Sequence, residues 1–318
     1  MVDSFGTIYK LRRGSMTPYP PPTVARPRRR HSGIRAPFWM LVPAIAFYAF
    51  VVIVPAAQGA LYAFTDWNGI TSAFQFVGLD NFVRAFTEEG AWRAVSNTLA
   101  LAAIVLVLQN AIGLLLAVGL NTAVKSRSVL RVVFFAPVIL TPLVSGYIWS
   151  YLLTPRGAIN SALEAIGLGD LRQDWLGDPR FALLSVCAAI IWQFSGYSMI
   201  IFLAGLQAIP AEITEAAAMD GAGPVRRFFS ITLPLLNGAI AINLLLTLIS
   251  GLSQFDQVYV MTGGGPSGAT ATLSVVIFRE GFQLGDYPYG TALSLVLALF
   301  VGVAAVVQYR LTSRRFDS

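Results

Sequence analysis

Six stretches of this chain are strongly apolar and contain no Asp, Glu, Lys or Arg: residues 36–65, 94–124, 132–155, 181–211, 228–255 and 287–309. A helix needs roughly 20 apolar residues to cross the hydrocarbon of a bilayer, and each stretch is long enough. Buried core helices of a soluble protein would rarely give six such lengths without one ion. The sequence therefore predicts an all-α, polytopic membrane protein with six transmembrane helices, at about 38–64, 95–120, 131–154, 181–207, 232–255 and 288–310. A seventh uncharged window, 257–278, is interrupted by Thr262 through Gly268 and is not counted as a span. Composition agrees, with 56% hydrophobic and 12% charged residues among 318, where soluble domains carry about 25% charged.

The charges that remain lie between the windows, and their signs orient the chain. Lys10, Arg12, Arg13, Arg26, Arg28, Arg29, Arg30 and Arg35 precede the first window, and Lys125, Arg127 and Arg131 fill the second connection without an acid. Arg226 and Arg227 lie in the fourth connection, and Arg310, Arg314 and Arg315 close the chain. The first and third connections are acidic on balance. Both termini are expected on the cytoplasmic side. Residues 1–36, rich in Pro and Arg with no preceding apolar run, read as a disordered basic cytoplasmic tail without an ordinary cleavable signal peptide. Residues 37–312 read as the transmembrane domain and 313–318 as a short cytoplasmic tail. The net charge of +6 is thus a matter of membrane orientation, with no nucleic acid as partner.

Counting residues excludes several chemistries. One cysteine, Cys187, and one histidine, His31, leave no disulfide framework, no metal site and no cofactor to expect. No phosphate-binding GxxxxGK[ST] loop occurs, so the chain is not expected to hydrolyse ATP or to be an enzyme. Spans without ionisable groups argue against a proton-driven carrier. The outer connections show apolar residues at helical spacing, Phe82 with Phe86 and Leu163 with Ile166, which suits short interfacial helices. The run Gly263-Gly264-Gly265 before Pro266 reads either as a flexible outer loop beside a partner or as a plain turn.

Between the fourth and fifth windows lies a polar stretch with helical character, Ile209 to Leu236. Pro210 suits a first helical turn, Ala211 to Met219 favours helix, and Asp220-Gly221 breaks it. Gly223-Pro224 then permits a second short helix through Phe229. A bend between two helices is expected, although an ordinary loop between spans would use similar residues. Glu215-Ala216-Ala217, Asp220-Gly221-Ala222 and Ile231-Thr232-Leu233-Pro234 match, in order and spacing, the "EAA" coupling loop of ABC importer permeases. Ala204 to Gln207, Ile209-Pro210 and FDQVYVMTGGGP at Phe255 to Pro266 resemble the carbohydrate-uptake class of that family, and the likeness runs over most of 38–311.

The resemblance implies an ABC importer type I permease fold in a bacterial cell membrane. It also implies a second, non-identical permease, a dimeric cytoplasmic ATPase and an extracytoplasmic solute-binding protein. Residues 209–234 would form the coupling loop, with Glu215, Ala216, Ala217, Asp220, Gly221, Leu233 and Pro234 engaging the ATPase. Uncharged polar and aromatic groups in the spans suit a sugar. Trp192, Gln193, Tyr197, Asn243, Ser250 and Gln254 are the path candidates, with Gln109, Asn110 and Ser195 beside them, though holding helices together is the more common use of any single one. Asn243 and Ser250, seven apart, share a helix face. A neutral sugar ranks above glycerol 3-phosphate, for which only Arg84, Arg93 and Arg279 in the outer loops speak. A passive channel or secondary carrier is the reading from another class.

Overall fold

Where lipid offers no hydrogen bonds, a chain must satisfy its own backbone, and helices account for nearly all of every apolar window. The computed structural model describes residues 38–71, 73–122 and 125–313, so the expected tail 1–36 and Arg314 onward lie outside it. The chain divides into a unit ending at Ala49 and a second from Phe50. In the first, a 3-10 turn at Phe38–Leu41 leads into α1, Val42–Tyr48.

The second unit holds the other helices in order. α2 is Val54–Tyr62, α3 Asp80–Thr87, α4 Glu89–Leu120, α5 Arg127–Ile139 and α6 Pro142–Leu152. Then come α7 Ala158–Ala165, α8 Pro179–Ala208, α9 Ala211–Met219, α10 Pro224–Arg227 and α11 Leu233–Leu235. α12 is Asn237–Leu252, α13 Asp256–Thr262, α14 Leu273–Phe278 and α15 Tyr287–Ser313. Short helices are present in both connections where helical spacing was noted, as α3 and α7.

α8 is the axis of the assembly, packed against α4, α5, α6, α12 and α13. Without a hydrophobic drive between helices in lipid, close approach has to come from small residues. Gly113 of α4 is one: a Cβ there would stand 2.5 Å from the Cβ of Ser198. Gly196 of α8 is another, since its Cβ would meet the Phe134 carbonyl oxygen of α5 at 2.1 Å. Around these crossings Leu101, Val105, Val186 and Ile190 fill one cluster, and Met199, Phe202, Leu206 and Leu236 another.

Four helices are long and apolar enough to cross a membrane: Trp39–Tyr62, Glu89–Leu120, Pro179–Ala208 and Tyr287–Thr312. The windows expected at 131–154 and 232–255 are instead bent pairs. Arg127–Ile139 and Pro142–Leu152 meet at 97°, and Pro224–Leu235 and Asn237–Leu252 at 68°. Proline explains the first break. Pro142 supplies no N–H and starts α6, where the Thr141 hydroxyl accepts from the Val144 amide at 3.4 Å. The second break falls at Leu236, between α11 and α12, two residues after Pro234.

The seventh window is interrupted where the sequence indicated and forms no single span. It folds as α13 and α14 around the glycine run, which is no loose loop. Gly263 ends α13 at φ +60°, the Thr262 and Thr270 hydroxyls lie 2.6 Å apart, and Asn97 of α4 donates to the Gly268 and Ala271 carbonyls at 2.9 and 3.0 Å. Arg93 donates to the Ser267 carbonyl at 2.9 Å.

Candidate functional site

The stretch after α8 is built as a bent handle. Pro210 is extended and opens α9. At its far end the Ala222 N–H donates to the Ala217 carbonyl at 3.0 Å and the Gly221 N–H to the Ala218 carbonyl at 3.1 Å. This crossed pair is the Schellman cap, and it needs a left-handed residue just past the helix. Gly221 supplies it at φ +78°. Gly223 is extended again, Pro224 opens α10, and a π-turn at Phe228–Thr232 carries the chain through Leu233 and Pro234 towards α12. Arg227 reaches back to the Thr214 carbonyl at 3.5 Å, which ties the arms together.

Outside, the handle is unsatisfied. Glu212, Glu215, Asp220 and Arg226 are exposed, and among the described residues none has a side-chain hydrogen bond or ion pair. Met219, Val225 and Phe229 are also exposed. Ala217 is buried, whereas Ala216 and Ala218 face outward. A surface mixing free acids with apolar side chains has the chemistry of a docking face. Nothing lies within 4 Å of where a Gly221 Cβ would stand.

Deeper in the bundle the polar candidates form two groups. In the first, the buried Gln254 amide donates to the Gln257 oxygen, and the Gln257 amide donates to the Gln193 oxygen at 2.8 Å. Gln193 in turn donates to the Leu140 carbonyl at 2.8 Å. That carbonyl belongs to the break between α5 and α6, so the relay satisfies an acceptor the bend has freed. Gln257 escaped the sequence reading because it sits in the interrupted window; its place three residues after Gln254 was the available signal.

In the second group, Gln109 donates to the Ser198 hydroxyl at 2.9 Å, and Asn110 to the Thr247 hydroxyl at 3.2 Å. Thr247 donates to the Asn243 carbonyl at 2.8 Å. The Asn243 side chain is fully buried, and neither its nitrogen nor its oxygen has a partner. Ser250, on the same helical face, is exposed. Trp192 and Tyr197 of α8 are each 41% exposed, with Trp192 edge-on to Trp149 at 5.6 Å. Ser195 is buried and donates to the Trp192 carbonyl at 3.5 Å.

A third cluster, at the far end of the spans, had no local signal. Arg84 of α3 bonds Glu88 at 2.6 Å and Asp286 at 2.5 Å, and its guanidinium lies 3.8 Å from the Tyr289 ring centroid. The Tyr289 hydroxyl donates to Glu88 at 2.8 Å. Desolvation opposes ionisation of Glu88, but the bonds from Arg84 and Tyr289 outweigh it and hold the carboxyl below its ordinary range. Desolvation works against the Arg84 cation too, and its two carboxylate partners still leave its pKa raised.

Comparison with known proteins adds the context. The family model described as a binding-protein-dependent transport system inner membrane component matches residues 109–317. The multiple sugar-binding transport system permease protein MsmF of Streptococcus mutans is 34% identical, over 88% of this chain and 95% of that one. The sn-glycerol-3-phosphate transport system permease protein UgpA of Yersinia pestis is 32% identical, over 88% and 94%. Among solved structures, the bacterial alginate ABC transporter in complex with its pentasaccharide-bound periplasmic protein contains a similar chain. It matches with a TM-score of 0.77 and 25% identity, over 87% of this chain and 93% of that one.

Proposed function

We propose that this chain, which belongs to the family of binding-protein-dependent transport system inner membrane components, carries a sugar or sugar-like solute through the membrane under the drive of a partner ATPase. It is an ABC importer permease and a multi-pass protein of the bacterial cell membrane. In the proposed topology each bent pair counts as one span, giving six, with both termini and the handle at 209–234 on the cytoplasmic side. The permease domain is 37–312 and the tail 1–36 lies inside the cell.

The observation that carries the reading is the fixed bend at Gly221 with its exposed, unpartnered acids. The handle joins the end of α8 to the start of α12. Those helices also carry Gln193 and Asn243, so displacement of the handle moves both sides of the polar path. Closure of an ATPase dimer around ATP, gripping Glu215, Ala216, Ala217, Asp220 and Gly221, would turn the handle as a lever, with Leu233 and Pro234 passing the motion to α12. A second permease subunit completes the channel, and an extracytoplasmic binding protein delivers solute.

Solute contacts are assigned to Trp192, Gln193, Tyr197, Asn243, Ser250 and Gln254. Relatives are named for sugars, sn-glycerol 3-phosphate and alginate. A neutral sugar is favoured here because Arg84, Arg93 and Arg279, the three cations that spoke for glycerol 3-phosphate, are already engaged. Arg84 pairs with Glu88 and Asp286, Arg93 with Glu89 at 3.5 Å, and Arg279 with Glu280 at 2.9 Å. The test is uptake by the complete complex of a panel of neutral oligosaccharides against sn-glycerol 3-phosphate. Saturable uptake of a neutral sugar supports the reading, and uptake of the anion alone refutes the choice of solute.

A further inference from the structure

The glutamine relay at the break between α5 and α6 has a direction, and one end sets it. The Leu140 carbonyl can only accept, so Gln193 must turn an N–H towards it, as it does at 2.8 Å. That choice points the Gln193 oxygen the other way, where the Gln257 amide donates to it at 2.8 Å. The Gln257 oxygen then faces Gln254, whose amide nitrogen donates to it. Three amides thus run head to tail from one backbone carbonyl. No one of them can turn over without setting two donors or two acceptors against each other. Gln193 and Gln257 are fully buried, so water cannot repair such a mismatch.

The other end of the relay is open. The Gln254 side-chain oxygen accepts from no group among the described residues, and it is not sealed from the surface. The residue as a whole is only 8% exposed. Its backbone is held as well, since the Thr272 hydroxyl donates to the Gln254 carbonyl at 3.3 Å. Each donated bond polarises the next amide, which makes the terminal oxygen a stronger acceptor than that of a lone glutamine. Whatever meets this oxygen must donate to it. A sugar hydroxyl can do so. Ionised phosphate and carboxylate oxygens only accept, and would set negative charge against a fixed acceptor.

We propose that Gln257 is a positioning residue for solute selection: it holds Gln254 with its oxygen outward, as a fixed acceptor that favours a solute presenting a hydroxyl there over one presenting an anionic group. The inference rests on the place given to Gln254 in the solute path above. The test is uptake by the complete complex, with its binding protein and ATP, in sealed vesicles. The neutral oligosaccharide of the uptake panel with the lowest KM is compared with its monodeoxyfluoro analogues, in which one hydroxyl becomes a fluorine that cannot donate. Losses at the binding protein are common to all permease variants and cancel between them. At one ring position the fluorine penalty in kcat/KM should be about threefold to tenfold larger in wild type than in Gln254→Leu or Gln257→Met. Gln257→Met keeps the side-chain length and removes the relay. If the relay only satisfies the Leu140 carbonyl, that variant lowers the melting temperature and keeps the wild-type penalty, which denies Gln257 its positioning role. Gln254→Leu leaves the bond from Gln193 to Leu140 in place, and decides alone if Gln257→Met does not assemble. A penalty equal in wild type and Gln254→Leu at every ring position overturns the proposal, while the uptake itself leaves the transport function standing. Uptake of sn-glycerol 3-phosphate alone would remove the choice of a neutral sugar, and this proposal with it.

Discussion

At Gly221 the backbone runs through φ +78° with open space where a side chain would point. A substitution there disturbs the local conformation and whatever docks from outside, and leaves packing within the chain untouched. Left-handed backbone costs most L-residues about 1–2 kcal/mol, with Asn and Asp the best tolerated. Gly221→Asp and Gly221→Asn should therefore insert and accumulate normally. Both should lower solute-stimulated ATP hydrolysis by about tenfold or more, the equivalent of about 1.4 kcal/mol of lost docking. Normal hydrolysis in either variant would remove Gly221 from the docking face. Asn243 poses the opposite question. An amide buried without partners costs the fold about 1–3 kcal/mol, so Asn243→Ala should leave the amount of assembled complex unchanged, or raise it. Transport should fall all the same, read as uptake rate per assembled complex, and unchanged kinetics would take Asn243 out of the path. The two positions differed in legibility. Asp220-Gly221 after an alanine run announces a helix end, whereas nothing local to Asn243 reveals that its amide has no partner.

Among the elements, α9 was legible to the residue, Ala211–Met219, because proline before it and glycine after it are strong local signals. The bends were not. A charge-free window reports that a segment prefers lipid, and says nothing of the direction its axis takes; only Pro142 and Pro234 hinted at the breaks. The first break depends on a side chain far away in sequence, since Gln193 satisfies the Leu140 carbonyl. Gln193→Leu would orphan that carbonyl and the Gln257 amide, at a cost of about 1–3 kcal/mol, read as a lower melting temperature of the assembled complex. A melting temperature equal to wild type would mean the relay is not structural. The corner joining α3 to α15 was hidden for the same reason, because Arg84 and Asp286 are paired only by the fold. Glu88 there is held below its ordinary range, so its contribution is fully present above about pH 4.3, the usual Glu value. It fades as pH falls through the depressed value. Amide exchange in α3 should be insensitive to pH from about 5 to 8 once corrected for the intrinsic rate, and accelerate in more acid solution. Glu88→Gln should speed it from about pH 5 to 8, with the difference from wild type shrinking in acid, and exchange unaffected by this substitution at neutral pH would deny the corner a holding role.

For the whole molecule, the argument rests on what the chain carries and what it lacks. It has spans without ions, a polar relay through the helices that flank the handle, and an exposed bend with free acids. It contains no phosphate-binding loop motif. Such a chain can shape a path and receive a push, and in the function proposed above the energy enters through the handle from another subunit. Reconstitution of the complete importer in sealed vesicles, with binding protein and solute on one side and ATP on the other, tests this most directly. Accumulation against a gradient is predicted with the ATPase present, with none when it is left out or when Gly221→Asp replaces the native handle. Equal movement of solute without the ATPase would contradict the account.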